Sequence, residues 1–208
     1  MTHRQVYPPI RLKTHGLACG RGETVLAGDI DLDLAGGTGL VLRGANGVGK
    51  STLLLTLAGL LAPLAGHIEL IGHDAEDGPA LHHCGHRNAV RPRLSVKDTL
   101  TFWAAINGAH GLAIDAALDR VGLGMAAKLD AGYLSAGQGR RLALARLLVS
   151  PRPLWLLDEP GAALDTQGQA LLADLLASHL QQGGLAILAS HDPVEVAGFS
   201  VLTLGERP

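Results

Sequence analysis

The sequence predicts an α/β fold with a largely parallel sheet. Short apolar runs alternate with longer amphipathic ones along the chain, the signature of repeated βαβ units. One of the short runs passes directly into a glycine-rich turn followed by a helical pattern. Hydrophobic residues make up 47% of the chain but aromatics only 3%, so the core is built from Ala, Leu, Val and Ile, which suits α/β layers.

The elements follow in order. Residues 39–43 (Gly-Leu-Val-Leu-Arg) read as a buried strand entering the glycine-rich turn, and 50–60 as the helix after it, ended by Pro63 and Gly66. Residues 67–71 and 81–85 read as short strands. Residues 96–107 and 115–121 read as helices, the first with Ser95 at its N-cap. Residues 135–149 form a long helical pattern stopped by Pro151 and Pro153. Residues 154–157 are a second buried strand ending on two acids, and 168–180 a helix stopped by Gly183-Gly184. Residues 185–189 are a third buried strand and 201–204 a last one. Between Arg87 and Leu134 the chain is dominated by helix, as in a subdomain laid over the sheet.

Composition bounds the function. At 208 residues the length is that of one domain, enough to bury two or three layers. The net charge of −2 leaves no electrostatic footprint for nucleic acid. The apolar stretches at 53–57 and 142–149 are broken by Thr, Gly, Pro or Arg, far short of the roughly 18 residues of a transmembrane helix. Residues 1–13 contain no apolar run of signal-peptide length. Cys19 and Cys84 lack metal-site spacing and read as free buried thiols of a reducing compartment.

Gly44-Ala45-Asn46-Gly47-Val48-Gly49-Lys50-Ser51-Thr52 matches the phosphate-loop pattern G-x-x-x-x-G-K-S, between a strand and a helix. Glycines let successive N–H groups converge as an anion nest, and the following helix adds its positive end. Lys50 can reach the β- and γ-phosphates of ATP, and Ser51 can ligate Mg²⁺. This loop alone does not separate transporter ATPases from kinases, GTPases or helicases. Leu154-Trp-Leu-Leu-Asp158-Glu159-Pro160 puts two carboxylates at the carboxyl end of a buried strand, where α/β sheets bind ligands. Asp158 suits the Mg²⁺-holding acid, and Glu159, directed to the other side, can polarise an attacking water.

Leu134-Ser135-Ala136-Gly137-Gln138, ahead of an Arg-rich helix, resembles the signature motif of ABC-transporter ATPases, with Ala136 where that family usually has Gly. Ala163-Leu164-Asp165 resembles the family's D-loop, and His191, after the third buried strand, its switch histidine. The resemblance implies an ABC-type P-loop NTPase domain over residues 1–208, with an N-terminal β region and a helical subdomain inserted at about 87–150. It implies hydrolysis of ATP with Mg²⁺ by a subunit that works in a head-to-tail homodimer. In that dimer Ser135, Gly137 and Gln138 of one copy face the nucleotide held by Gly44–Thr52 and Asp158 of the other. There Glu159 positions water, and His191 contacts the γ-phosphate and, across the interface, the D-loop Asp165. It also implies integral membrane partners and a peripheral position on the cytoplasmic face of the inner membrane, with no nucleic acid bound.

Two departures narrow the resemblance. The family usually carries Gln where His86 stands, touching Mg²⁺ and the membrane partner, and a neutral imidazole keeps one donor and one acceptor. No aromatic lies between Tyr7 and Phe102 to stack on adenine, a place Arg21 can take. The run from His86 to Leu100, the phrase at 134–145 and Gly183-Gly184 are similar to the ATPases of bacterial heme export and cytochrome c maturation. Motors exporting a lipid, drug or peptide are the alternative. Non-transport ABC proteins fit less well, since the chain has one set of motifs, no heptads and no basic stretch. The cluster His82-His83-Cys84-x-His86 reads more simply as strand residues on alternating faces than as a heme or metal site.

Overall fold

A computed structural model describes residues 7–205 apart from 75, 77 and 192–194. The chain divides into two compact units, Met1–Gly85 with Pro153–Glu159 and Leu175–Pro208, and His86–Arg152 with Pro160–Asp174.

The first unit contains two sheets. Strands β1 (Arg11–Arg21), β2 (Thr24–Ala35) and β4 (Ala65–Ile71) form an antiparallel sheet in the order β2-β1-β4. Strands β3 (Gly39–Arg43), β5 (Leu81–Cys84), β6 (Leu154–Asp158), β7 (Leu185–Ala189) and β8 (Phe199–Thr203) form a parallel sheet in the order β5-β6-β7-β3-β8. The central strands β6 and β7 are buried along their whole length. Their sequences, apolar throughout except for Asp158 at the end of β6, reflect a sheet covered on both faces. Helix α1 (Lys50–Leu57) packs against β1 as well as β6 and β7, so Leu53 and Leu54 share one core with Leu12, Leu17, Leu42, Leu156 and Ile187.

Helix α1 is shorter than the sequence pattern implies. It ends at Leu57 instead of continuing to Leu60, because Gly59 takes φ 70° and the amides of Leu60 and Leu61 both turn back to the Leu55 carbonyl. The N-terminal β region that the resemblance implies consists of β1 and β2, whose bounds no local pattern had marked. The long strand β1 is bulged between Thr14 and Leu17, and the Thr14 hydroxyl bridges the break by donating to Ile30 O and accepting from Leu32 N.

The second unit is helical. Helices α2 (Val96–Asn107), α3 (Ile114–Arg120) and α4 (Ala136–Val149) pack on one another, followed by the start of α5 (Thr166–Gln181). Their core joins Leu100, Leu118, Val121, Leu123, Leu142 and Val149. Ser95 caps α2 by accepting from Asp98 N at 3.0 Å. The Arg146 guanidinium lies 3.7 Å from the centre of the Trp103 ring, which lets a charged side chain share this surface. Among the described residues, no helix is long and apolar enough to cross a membrane.

Candidate active site

Strand β3 ends where the backbone turns sharply. Gly44 takes φ 130°, and a Cβ there would lie 2.6 Å from the Leu204 carbonyl oxygen, so only glycine fits this start of the loop. Gly47 and Gly49 also have positive φ. Gly49 is the N-cap of α1 and supplies no side-chain acceptor. Helices α2, α4 and α5, by contrast, have Ser95, Ser135 and Asp165 bonded to their first-turn amides. A helix start whose cap brings no acceptor of its own is suited to a bound anion.

Lys50 is buried, and its ammonium donates to the carbonyls of Gly44 at 2.7 Å and Ala45 at 3.1 Å. The cation thus sits over the loop it follows. Ser51 is exposed at the first turn of α1, while Thr52 is buried.

Asp158 ends β6 with its side chain buried, and Glu159 follows at φ 48°. That left-handed backbone is unfavourable for a non-glycine residue, and here the Glu159 amide is held by the Ala189 carbonyl at 2.8 Å. The turn sends successive acids in different directions. Glu159 lies with its carboxylate 3.4 Å from the His191 amide and 3.6 Å from the His191 ring. The same ring nitrogen, Nε2, is 2.8 Å from Asn46 Oδ1 and 3.3 Å from Lys50 Nζ. Asn46, Lys50, Glu159 and His191 therefore converge at the carboxyl ends of β3, β6 and β7. A cation, a carboxylate and an imidazole around a phosphate loop can bind a nucleotide, orient water and follow charge on a terminal phosphate. Among the described residues no group of three or more His, Cys, Asp or Glu side chains makes a metal cage. Mg²⁺ on a nucleotide needs none, since one carboxylate, a hydroxyl and phosphate oxygens suffice.

The helical unit presents a second constellation. Ser135 and Gln138 form a reciprocal capping box: Gln138 N donates to Ser135 Oγ at 3.2 Å and Ser135 N donates to Gln138 Oε1 at 2.9 Å. Ser135, Ala136 and Gln138 are exposed. The Ser135 hydroxyl hydrogen is not used in that box. Gly137 is where two segments meet, since a Cβ there would lie 2.7 Å from the Ala163 carbonyl oxygen. Asp165 accepts from Gly168 N at 2.8 Å, capping α5, and pairs with Arg141 at 2.6 Å. Both contacts hold its carboxyl below the usual carboxylate range. Buried Arg140 donates to the Pro160 carbonyl at 3.1 Å and to Asn88 Oδ1 at 3.0 Å. An open cleft of about 390 Å³ beside the start of α4 is lined by Arg87, Asn88, Val90, Pro92, Leu134 and Ser135. His86, exposed, immediately precedes that lining.

Residues 27–162 match the ABC transporter family model. The chain belongs to the ABC transporter family. The ABC assignment extends well beyond the motifs. The chain is 47% identical to the cytochrome c biogenesis ATP-binding export protein CcmA of Rhodopseudomonas palustris strain HaA2, over 90% of this chain and 94% of that protein. It is 45% identical to the protein of that description from Rhizobium meliloti strain 1021, over 94% and 98%. Among solved structures, an ABC transporter ATP-binding protein from Pyrococcus furiosus superposes with a TM-score of 0.80 at 26% identity, covering 92% of this chain and 97% of that one.

As an ABC ATP-binding subunit, the chain binds and hydrolyses ATP and serves a transporter with membrane subunits. Some of its ABC site was not visible in the sequence. Asn46 was legible only as a loop residue, yet its side chain holds His191. The Arg-rich start of α4 was visible, but not that Arg140 reaches Pro160 and Arg141 reaches Asp165.

Proposed function

We propose that the chain is the motor subunit of a heme-export transporter serving cytochrome c maturation, working as a head-to-tail homodimer on the cytoplasmic face of the membrane. The cargo reading is carried by one observation, the 44–48% identity to cytochrome c biogenesis ATP-binding export proteins over roughly nine-tenths of the chain.

Residues Gly44 to Thr52 hold the phosphates of ATP, with Lys50 moving from the Gly44 and Ala45 carbonyls to the β- and γ-phosphates. Ser51 and Asp158 would hold Mg²⁺, and His86 stands at the sequence position where the family usually carries glutamine. Bound Mg²⁺ neutralises charge on the phosphate oxygens. Glu159 orients a water whose oxygen attacks the γ-phosphorus. The bond from phosphorus to the β–γ bridging oxygen breaks, leaving ADP and phosphate. His191 contacts the γ-phosphate. Ser135, Gly137 and Gln138 come from the second copy, where the exposed hydroxyl and the positive end of α4 meet that phosphate. Asp165 lies in the interface, and Arg21 stacks on the adenine. The cleft lined by Arg87, Asn88 and Pro92 receives a segment of the membrane subunit.

Two measurements test this. Glu159→Gln keeps ATP bound and stops hydrolysis, so light scattering finds a dimer with ATP and a monomer without it; turnover near wild type removes Glu159 from its role. Purification from membranes brings down an integral protein of a heme-handling complex, whereas a lipid, drug or peptide exporter in its place overturns the cargo.

A further inference from the structure

Strand β3 reads Gly-Leu-Val-Leu-Arg, with four buried residues and then a charged one. An arginine at the end of a strand paired on both sides is costly to bury even in part unless its donors are used. The parallel ladder between β3 and β7 ends at the pair Leu42 and Ala189. One residue further the backbone bond is stretched, with Ser190 N 3.5 Å from Leu42 O. At that point the Arg43 side chain crosses over and Nη1 donates to the Ser190 carbonyl at 2.8 Å. On its other side the Arg43 carbonyl accepts from Leu204 N, beyond β8, at 2.9 Å. Arg43 therefore links three strand ends at the residue before Gly44, where the phosphate loop begins.

The residue after Ser190 is His191. Its ring is held by Asn46, and its amide lies 3.4 Å from Glu159. Arg43 fixes the carbonyl on the peptide just before it. We propose that Arg43 is a positioning residue for ATP hydrolysis, which ties the root of the phosphate loop to the backbone that carries His191. Any shift of the loop on nucleotide binding then moves His191 with it. This rests on the reading that His191 contacts the γ-phosphate. A guanidinium suits the task because its planar, fixed fork reaches a neighbouring strand while remaining fully charged. A lysine offers a single flexible point charge.

Steady-state ATPase rates of the full chain test this in a cycle of Arg43→Met, His191→Ala and the double variant, with Arg43→Lys alongside. Arg43→Met is expected to lower kcat by roughly 10- to 100-fold, the scale for a misplaced catalytic group, and to leave KM for Mg-ATP within about 3-fold. Arg43→Lys recovers part of the loss. In the His191→Ala background, Arg43→Met costs less than about 2-fold more, because residues acting through one group are not additive. If the two losses multiply, if kcat and KM deteriorate together, or if Arg43→Met loses nothing, the proposal is overturned. If His191→Ala itself leaves turnover unchanged, the underlying reading of His191 fails, and a kcat loss in Arg43→Met then refutes the route through it. Should Arg43→Met not fold, Arg43→Lys carries the same cycle with a donor retained.

Discussion

His191 Nε2 lies 2.8 Å from Asn46 Oδ1, joining residues 145 positions apart. The Asn46 amide oxygen is an acceptor on that ring nitrogen. The Lys50 ammonium donates to the carbonyls of Gly44 and Ala45 and lies 3.3 Å from the same ring nitrogen. The phosphate loop thus orients the histidine ring. Asn46→Ala removes that acceptor while leaving the loop backbone intact. Turnover is expected to fall by about 10-fold, within the range for a misoriented catalytic group, with nucleotide affinity within about 3-fold. Steady-state kinetics beside a fluorescent-nucleotide titration distinguish this from a loop defect, in which affinity falls as far as turnover.

Lys50→Ala deletes the loop's one side-chain cation, and with it the two bonds to Gly44 and Ala45. Charge-assisted hydrogen bonds contribute about 1.5–3 kcal/mol each. Mg-ATP affinity is therefore expected to drop by at least roughly 100-fold, which corresponds to about 2.7 kcal/mol. Isothermal titration showing unchanged affinity would remove Lys50 from the nucleotide site.

The parallel sheet was legible because its strands are continuous apolar runs ending on the chemistry-bearing residues Arg43, Asp158 and Ala189-Ser190-His191. The antiparallel sheet was harder to read. In β1 the bulge at Gly16 breaks the two-residue period, so Leu12 and Thr14 face the core in one phase and Leu17 and Cys19 in the other. The signal for β2 was present in the alternation of Ile30, Leu32 and Leu34 with Asp29, Asp31 and Asp33. Helix α5 starts at Thr166, two residues before the expected Gly168, because Asp165 serves as its cap as well as the partner of Arg141. The order of motifs named the candidate residues. It carried nothing about side-chain contacts between distant segments, such as Arg43 to Ser190, because no local pattern encodes them.

A pH effect on stability arises away from the nucleotide. His179 is buried, stacked on Trp155 at 3.8 Å and edge-on to Tyr7 at 5.3 Å. Burial lowers its pKa to about 4, and the Leu185 carbonyl and neighbouring His82 act as smaller influences. The unfolded chain binds this proton near pH 6.5 and the folded chain only near 4. The stability from a neutral His179 is thus complete above pH 6.5 and is lost as pH falls from there toward 4. The full effect is on the order of 3 kcal/mol. In His179→Phe the ring stack is retained and the titrating group is gone. Urea midpoints measured between pH 7 and 4.5 are expected to fall less steeply in the variant than in wild type. Equal slopes would show that His179 is not the group responsible.

His86 offers a test of how hydrolysis couples to the membrane subunit. It follows the end of β5, is exposed, and precedes the segment from Arg87 to Pro92 that lines the cleft of the helical unit. Within that segment Asn88 is bonded to Arg140, which also holds the Pro160 carbonyl next to Glu159 in sequence. On the proposed function, a segment of the membrane subunit seated in the cleft meets Arg87 with acids or helix C-terminal carbonyls, on the chain just beyond His86. The imidazole resembles an amide in offering one donor and one acceptor. His86→Gln is therefore expected to keep basal hydrolysis and most of the partner's stimulation. His86→Ala removes both polar atoms and is expected to reduce the stimulation by several-fold more than the basal rate. Reconstituting each variant with and without the membrane subunit gives both rates. Equal loss in the two conditions would place His86 in the hydrolytic site alone, and no loss in either would make it a strand-end residue without a part in coupling.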